Sequence, residues 1–515
     1  METGGFSWTS IAERLPSVAQ PAQRPTFKEK MKWTGIILIL FFLLGSITVA
    51  GINPAALAQF QFLEIVFGAK FGSIMTLGIG PIVTASIILQ LLVGSKIIKW
   101  NLQNSEDKKK FTSAQKILTI AFCFFEAGAY VLAGAIPPAS PNPLLIAFII
   151  LQIAAGGILV VYMDEVVSKY GIGSGVSLFI AAGVSKTIIL RIFNVLAADG
   201  SLPTPDNPPV GLLFTFFNML ASGQAVQALT AILPIISTAI VLIIVVFSQG
   251  IHVEIPLAFT LPFGKFGARS WPLKFFYSSN IPVILTAALL ANIELIAKML
   301  YSSGITFLGT FDSNGQVTGG LVYFLTVPRS ETLLIVSVSA GIFALLGAIY
   351  LGRAIFKRRS IRAGAIGCAL GILIGIGIVN LLGLPSLQLI DFARVISYLM
   401  FYLVFSVLFS VFWVNTAGMD AHTISEQFKA YSITVPGFRH DPRIIESILN
   451  KYIPSLTVLG GAAVGLLAGF ADLTSALGTG TGILLTSMII YQFYEQIMSQ
   501  HSEDIPESVK KVIGE

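Results

Sequence analysis

Long apolar runs alternate with short polar breaks along almost the whole chain. Runs of about 20 apolar residues, the length a bilayer core asks of a helix, fall at 33–52, 71–95, 117–135, 144–163, 172–194, 228–248 and 281–301. Five more follow at 332–352, 363–384, 395–415, 453–471 and 478–494. The pattern predicts about twelve transmembrane helices and therefore an all-α polytopic membrane protein. The run at 172–194 is the weakest, because Lys186 and Arg191 interrupt it. Between the first two runs, 53–70 (NPAALAQFQFLEIVFGAK) is too short and too polar to cross. It is either a surface loop or a short half-helix folded back into the protein, which requires protein or water around it. No small-residue cleavage pattern follows the first run, which reads as a true span and not as a removed signal peptide.

Composition agrees with this reading. Of 515 residues, 55% are hydrophobic and 11% charged, against about 25% charged in soluble domains. The mean hydropathy is +0.83. One bundle of many spans fits better than several soluble domains. Cys123 and Cys368 both lie inside apolar runs, so neither a disulfide framework nor a zinc site is expected.

The net charge of +6 could suggest a nucleic-acid partner, but the placement of the cations explains it better. If the N-terminus is cytoplasmic and every run crosses, the cytoplasmic segments hold every Lys and Arg except Lys70, Lys186, Arg191, Lys298, Arg329 and Arg394. That is the positive-inside rule. It predicts a cytoplasmic N-terminal segment (1–32) and a cytoplasmic C-terminal tail (499–515). The external connections 136–143 and 199–209 are Pro-rich and nearly free of cations, as turns should be.

Enzyme signatures are missing. The chain has no phosphate loop, no H-E-x-x-H and no nucleophile elbow. His252, His422, His440 and His501 sit in loops or tails without ligand spacing. Neither a catalytic role nor a metal or other cofactor is expected. Few polar groups interrupt the spans. Glu126 lies in mid-run, and Asn292 shares a span with Glu294 and Lys298. A carboxylate at the bilayer centre costs about 2.5–3.5 kcal/mol on insertion scales. Glu126 therefore marks either an interhelical hydrogen bond or an aqueous path, while Glu294 and Lys298 have the spacing of an i,i+4 pair.

Glycines open or break three runs, at 77–92, 171–185 and 477–490. They serve either close helix packing or half-helices around a central cavity. Gly367, Gly371 and Gly375 repeat every four residues, which predicts a packing face toward 332–352. Two cytoplasmic loops, 249–280 and 417–452, mix Lys and Arg with Phe, Trp and Pro. They predict ordered protrusions suited to an anionic surface such as ribosomal RNA.

Five segments carry a resemblance to a known family: TLGIGPIVTASIILQLLVGS (76–95), GIGSGVSLFIAAGVS (171–185), SSNIPVILTAALLAN (278–292), VPGFRHDPRIIE (435–446) and ALGTGTGILLTSMIIYQFYEQ (476–496). They resemble the SecY family of protein-conducting channels, in its archaeal form, over most of 25–325 and 395–500. The resemblance implies ten helices in two pseudo-symmetric halves, 33–200 and 201–498, around a polypeptide pore that opens sideways to lipid. It implies that 53–70 is a plug, with Ala56, Leu57, Phe60, Phe62 and Leu63 its apolar side chains. It implies a constriction of Ile79, Val83, Val176, Ile180, Ile284 and Leu485, and a lateral gate whose polar cluster is Thr84, Glu126 and Asn292. In the protruding loops it implies ribosome contacts through Lys265, Arg269, Arg439 and Arg443. A ring of apolar side chains would gate by dewetting.

One departure from the family pattern is an inserted hairpin, 332–384, which is expected to pack peripherally. The implied partners are a SecE-type subunit, a small beta/SecG-type subunit, a ribosome with its nascent chain, signal peptides, unfolded polypeptides and membrane lipids. The implied site is the cytoplasmic (plasma) membrane. A secondary solute transporter is the alternative, since broken glycine-containing helices also mark transporters, but this chain offers Ile and Val where a substrate site would need polar groups. An intramembrane enzyme would need a catalytic partner for Glu126, and none is evident.

Overall fold

The computed structural model describes residues 15–23, 25–52, 72–94, 97–100, 104–132, 136–197, 201–203, 209–260, 266–278, 280–312, 316–328, 331–346, 360–383, 385, 387–430, 433–434 and 442–501. All twelve apolar runs carry a helix. In chain order the helices are α1 (Phe27–Leu44), α2 (Gly80–Gly94), α3 (Ser105–Leu132), α4 (Pro143–Tyr170), α5 (Gly175–Phe193), α6 (Leu212–Ala221), α7 (Ala225–Gln249) and α8 (Ile281–Ser302). They continue as α9 (Leu321–Leu325), α10 (Glu331–Leu346), α11 (Ser360–Leu381), α12 (Leu389–Thr416), α13 (Ala421–Ala430), α14 (Pro442–Leu473) and α15 (Gly480–His501).

Among the described residues, 8 helices are long and apolar enough to cross a membrane by length and composition. These are α3, α4, α5, α7, α8, α11, α12 and α14. The other four of the twelve expected runs carry helices that are shorter or more polar, α1, α2, α10 and α15. α1 starts early, on a capping box in which Glu29 N donates to Thr26 Oγ1 and Thr26 N donates to Glu29 Oε2. Its first turns are charged, and it stops at Gly45, short of residue 52. Extended backbone follows, where Thr48 bridges Ser73.

The 71–95 run is helical only from Gly80. Residues 74–79 form successive turns at apolar depth. Their amides are satisfied locally, Thr76 N on Ser73 O, Gly78 N on Met75 O and Gly80 N on Leu77 O, as burial in a membrane protein demands. These turns lie against α4 at Gly156, where a Cβ would stand 1.8 Å from Ile74 O. Only glycine permits that approach.

The weakest run does form a helix, α5. Lys186 reaches over the Phe42 ring at 5.3 Å, and Arg191 lies in the last turn, where the helix dipole favours a cation. The inserted pair packs as expected. A Cβ on Gly371 would lie 2.5 Å from Ser339 O, one on Gly375 2.8 Å from Val336 Cα, and Ser339 Oγ donates to Gly371 O at 2.9 Å. The pair sits outside the main core, in a small apolar cluster with Leu233 of α7 and with Gly341 against Phe470 of α14.

The membrane bundle is all-α, but one end carries a sheet that the apolar pattern did not predict. β1 (His252–Thr260) and β2 (Phe266–Lys274) form an antiparallel hairpin, with His252 opposite Lys274 and Thr260 opposite Phe266. The second loop adds a strand, Ile433–Thr434, to the β1 edge. The two loops read as separate protrusions are therefore one structure. Its base is an apolar cluster that includes Ile255, Leu273, Val414, Ile424, Ile445 and Leu449, with Trp271 edge-on to Phe428 at 5.0 Å. A second small hairpin, Thr310–Phe311 with Val317–Gly319, covers α8 through Phe311, Val322 and Ala297. Lys298 lies over the Phe311 ring at 5.7 Å.

Candidate functional site: a closed apolar constriction

At the end of the bundle that carries the sheet, α2, α3, α5, α8, α12 and α15 surround a cavity of about 570 Å³, with Asp164 of α4 on its wall. Its rim includes Lys108, Trp413, Thr416 and Gln496, and its floor includes Val83, Val176 and Ile284. Deeper, Ile180, Ile284, Ala287 and Leu485 close on a void of about 10 Å³ beside Thr479 and Thr481. That is no larger than the roughly 10–15 Å³ one water needs, and its apolar side offers a water little to bond. Ile284 belongs to both walls and so stands between the funnel and the void.

The six residues of the expected ring come together in one apolar core. Ile79, Val83, Ile180, Ile284 and Leu485 are buried in it, and Val176 is half-buried against it because it faces the funnel. Ile79 occupies the turn before α2 and is not among the residues that wall either space. An ion pushed into such a site would shed its water without compensation, at a cost far above thermal energy.

The expected polar cluster also assembles. Asn292 Nδ2 on α8 donates to Thr84 Oγ1 on α2 at 3.3 Å. Glu126 on α3 is buried beside them, and neither carboxylate oxygen has a hydrogen-bond partner. The Thr84 hydroxyl lies near it, outside hydrogen-bond geometry. Nearly two turns earlier on α8, a separate polar contact reaches α12, where Thr286 Oγ1 and Ser406 Oγ are 3.4 Å apart.

The remaining expected residues are scattered or lie beyond the described residues. The proposed plug, 53–70 with Ala56, Leu57, Phe60, Phe62 and Leu63, is outside them, as are Lys265 and Arg439. Arg269 is placed by its backbone in β2, opposite Leu257. Arg443 is exposed in the first turn of α14. A cation that sequence reasoning passed over ties the sheet to the bundle: Lys274, at the end of β2, pairs with Glu495 of α15 and lies 5.6 Å over the Tyr491 ring.

Sequence reasoning also missed Asp472, which the hydropathy pattern left just past the end of a run. It is buried. It accepts from Tyr398 Oη at 2.8 Å, from Gly480 N at 2.8 Å, from Thr481 N at 3.3 Å and from Thr481 Oγ1. The usable signal was its place eight residues ahead of Gly480, the Gly-rich start of α15. Among the described residues no group of His, Cys, Asp and Glu could hold a metal ion, and Cys123 and Cys368 are both free thiols.

A family model described as SecY matches residues 73–494. The protein translocase subunit SecY of Methanothermobacter thermautotrophicus is 40% identical over 505 residues, covering 97% of each chain. A solved structure described as the structure of a protein conducting channel superposes with TM-score 0.74 at 38% identity, over 96% of this chain and 97% of that one. Another, of Sec61 in the canine ribosome–channel complex from the endoplasmic reticulum, gives TM-score 0.72 at 37% identity, over 96% and 97%.

Proposed function

Because the chain belongs to the SecY family, and is a protein-conducting channel subunit of the Sec translocon and not an enzyme, we propose that its apolar constriction is the seal of a polypeptide pore. The observation that carries this reading is the funnel that narrows from about 570 Å³ to a closed apolar contact at Ile284. An extended polypeptide could enter such a funnel and push aside the aliphatic side chains of the constriction, which carry no charge to hold it. Hydrated ions would be refused by dewetting.

The ring consists of Ile79, Val83, Val176, Ile180, Ile284 and Leu485, with Ile79 bracing it from behind. Segment 53–70 is the plug that reinforces the seal from the far side. Thr84, Glu126 and Asn292 form the polar latch of a lateral gate between α2, α3, α8 and α12. A signal sequence wedged there replaces polar contacts by its own apolar face, and transmembrane segments leave by the same route into lipid.

In this reading the architecture is ten channel helices in two related halves, 33–200 and 201–498, with α10 and α11 as an inserted pair. The sheet end is cytoplasmic, on the cationic bias of its loops. It is the docking face for a ribosome with its nascent chain, through Lys265, Arg269, Arg439 and Arg443. A ribosome complex is described for the canine relative. Two small single-span subunits, of the SecE and beta/SecG types, complete the assembly in the cytoplasmic membrane.

The test is a photo-crosslinker at Ile180 in channels engaged by ribosome-arrested secretory chains. Crosslinks to the nascent chain are expected. Their absence, with labelling by a small solute instead, would point to a transporter and defeat the channel seal.

A further inference from the structure

The two helices that reach the constriction from opposite ends begin with the same sequence pattern. Residues 171–178 read GIGSGVSL and residues 478–485 read GTGTGILL, both G-x-G-[ST]-G-[VI]-x-L. Two residues before each helix start, Gly173 and Gly478 hold φ of 71° and 73°, a left-handed turn that favours glycine. α5 and α15 pack against each other antiparallel, with reciprocal contacts. A Cβ on Gly173 would meet Phe493 of α15 at 2.4 Å, and one on Gly478 would meet Val184 of α5 at 3.2 Å.

Each turn is held by an aspartate from the helix before it. Asp164 of α4 accepts the amide of Val176 at 2.9 Å. Asp472 of α14 accepts the amides of Gly480 and Thr481 and the Thr481 hydroxyl. The close packing is repeated too. A Cβ on Gly175, the first residue of α5, would lie 2.6 Å from Asp164 Cα, and one on Gly480, the first residue of α15, would lie 2.2 Å from Asp472 N.

We propose that Asp164 and Asp472 are a matched pair of positioning residues, clasping the starts of α5 and α15 so that Val176, Ile180 and Leu485 stay in the ring. The clasp rests on the ring reading given above. A helix start leaves its first amides unpaired and favours a negative group there. A carboxylate fixed on the preceding helix answers both needs and sets where along the pore the helix begins. The two clasps work from opposite ends of the pore. Asp164 lines the funnel, and the Asp472 partner Thr481 borders the void beneath Ile284.

The test compares the full channel complex carrying Asp164→Asn or Asp472→Asn with the parent, by amide hydrogen exchange and by resting ion conductance in planar bilayers. An amide in the clasp turns one acceptor into a donor that faces other donors. Asp472→Asn is expected to speed exchange about tenfold in 479–485 while 174–180 keeps its protection, and Asp164→Asn to do the reverse. Both are expected to leak ions. Thr481→Ser should behave as the parent and Thr481→Val should leak, and these milder changes carry the test if an Asn variant does not accumulate. Parental exchange in both segments, or an increase spread evenly over the bundle, would overturn the proposal. Ile284→Gly separates the two ideas. If it leaks while the Asn variants stay tight, the clasp fails and the ring stands; if it stays tight, the ring itself fails.

Discussion

Asn292 and Thr84 join α8 to α2 through one side-chain hydrogen bond of 3.3 Å. Beside them the Glu126 carboxylate is buried with both oxygens unbonded. A neutral bond of this kind contributes about 0.5–1.5 kcal/mol, a small hold on two helices that part in the gate reading proposed above.

Loss of that hold should ease opening. Asn292→Ala is expected to shift the closed–open balance about 2–10-fold toward open. Reporter proteins whose signal sequences have lost part of their apolar core would then be exported more efficiently by the variant than by the parent. Equal export efficiencies would mean that the Asn292–Thr84 contact does not restrain the gate.

The ring residues should differ in how much they seal. Val83→Gly and Ile284→Gly remove side chains that form the funnel floor, and each is expected to give measurable ion conductance in planar bilayers. Ile79→Gly empties a site behind the ring. It should lower thermal stability, by about 2–5 kcal/mol as for other large core deletions, with the smaller leak of the three.

The inserted pair should tolerate damage that the pore would not. Gly371→Val places a side chain against the Ser339 carbonyl, and such overpacking costs about 1–3 kcal/mol. Melting of the purified protein should begin at a lower temperature, yet export of a secretory reporter should continue near the parental rate.

The docking end should be sensitive to alkali. Tyr277 donates its hydroxyl to Met419 O at 2.7 Å. Burial, and then the nearby charge of Asp420, raise its phenol above the ordinary value. The folded form therefore holds the proton more tightly than the unfolded chain, whose Tyr titrates near about 10. The stabilisation is complete below that pH and is lost as pH rises from there toward the folded value. Tryptophan fluorescence, with Trp271 in the neighbouring cluster, should report loosening above about pH 10. In Tyr277→Phe that alkaline step should vanish, at the expense of about 1 kcal/mol at neutral pH.

Much of this was legible in the sequence, for physical reasons. Apolar runs must cover lipid, so each announced its helix, and glycines every four residues announced the face on which α11 meets α10. The Thr84–Asn292 pair and the ring came from motif resemblance; hydropathy alone treats Ile284 like any other buried isoleucine. What escaped was backbone geometry inside the runs. Residues 74–79 are as apolar as a helix would be, and only the glycine contact with α4 reveals that they turn. The sheet escaped because its strands mix Pro, Gly and charge without clean alternation. Asp472 escaped because its partners come from α12 and from the following helix start, which no local window sees together.

The turn at 74–79 bears on how the protein is made. α2 has 15 residues, about 22 Å at 1.5 Å per residue, against a hydrocarbon core of about 30 Å. It falls short of a full crossing by itself, and the turns before it lack the close-packed cover they have in the finished protein. The surface that shelters that backbone is α4 at Gly156, which is synthesised later. During its own biogenesis this segment must therefore wait, held in a polar or proteinaceous setting, until the fourth helix arrives to complete its crossing.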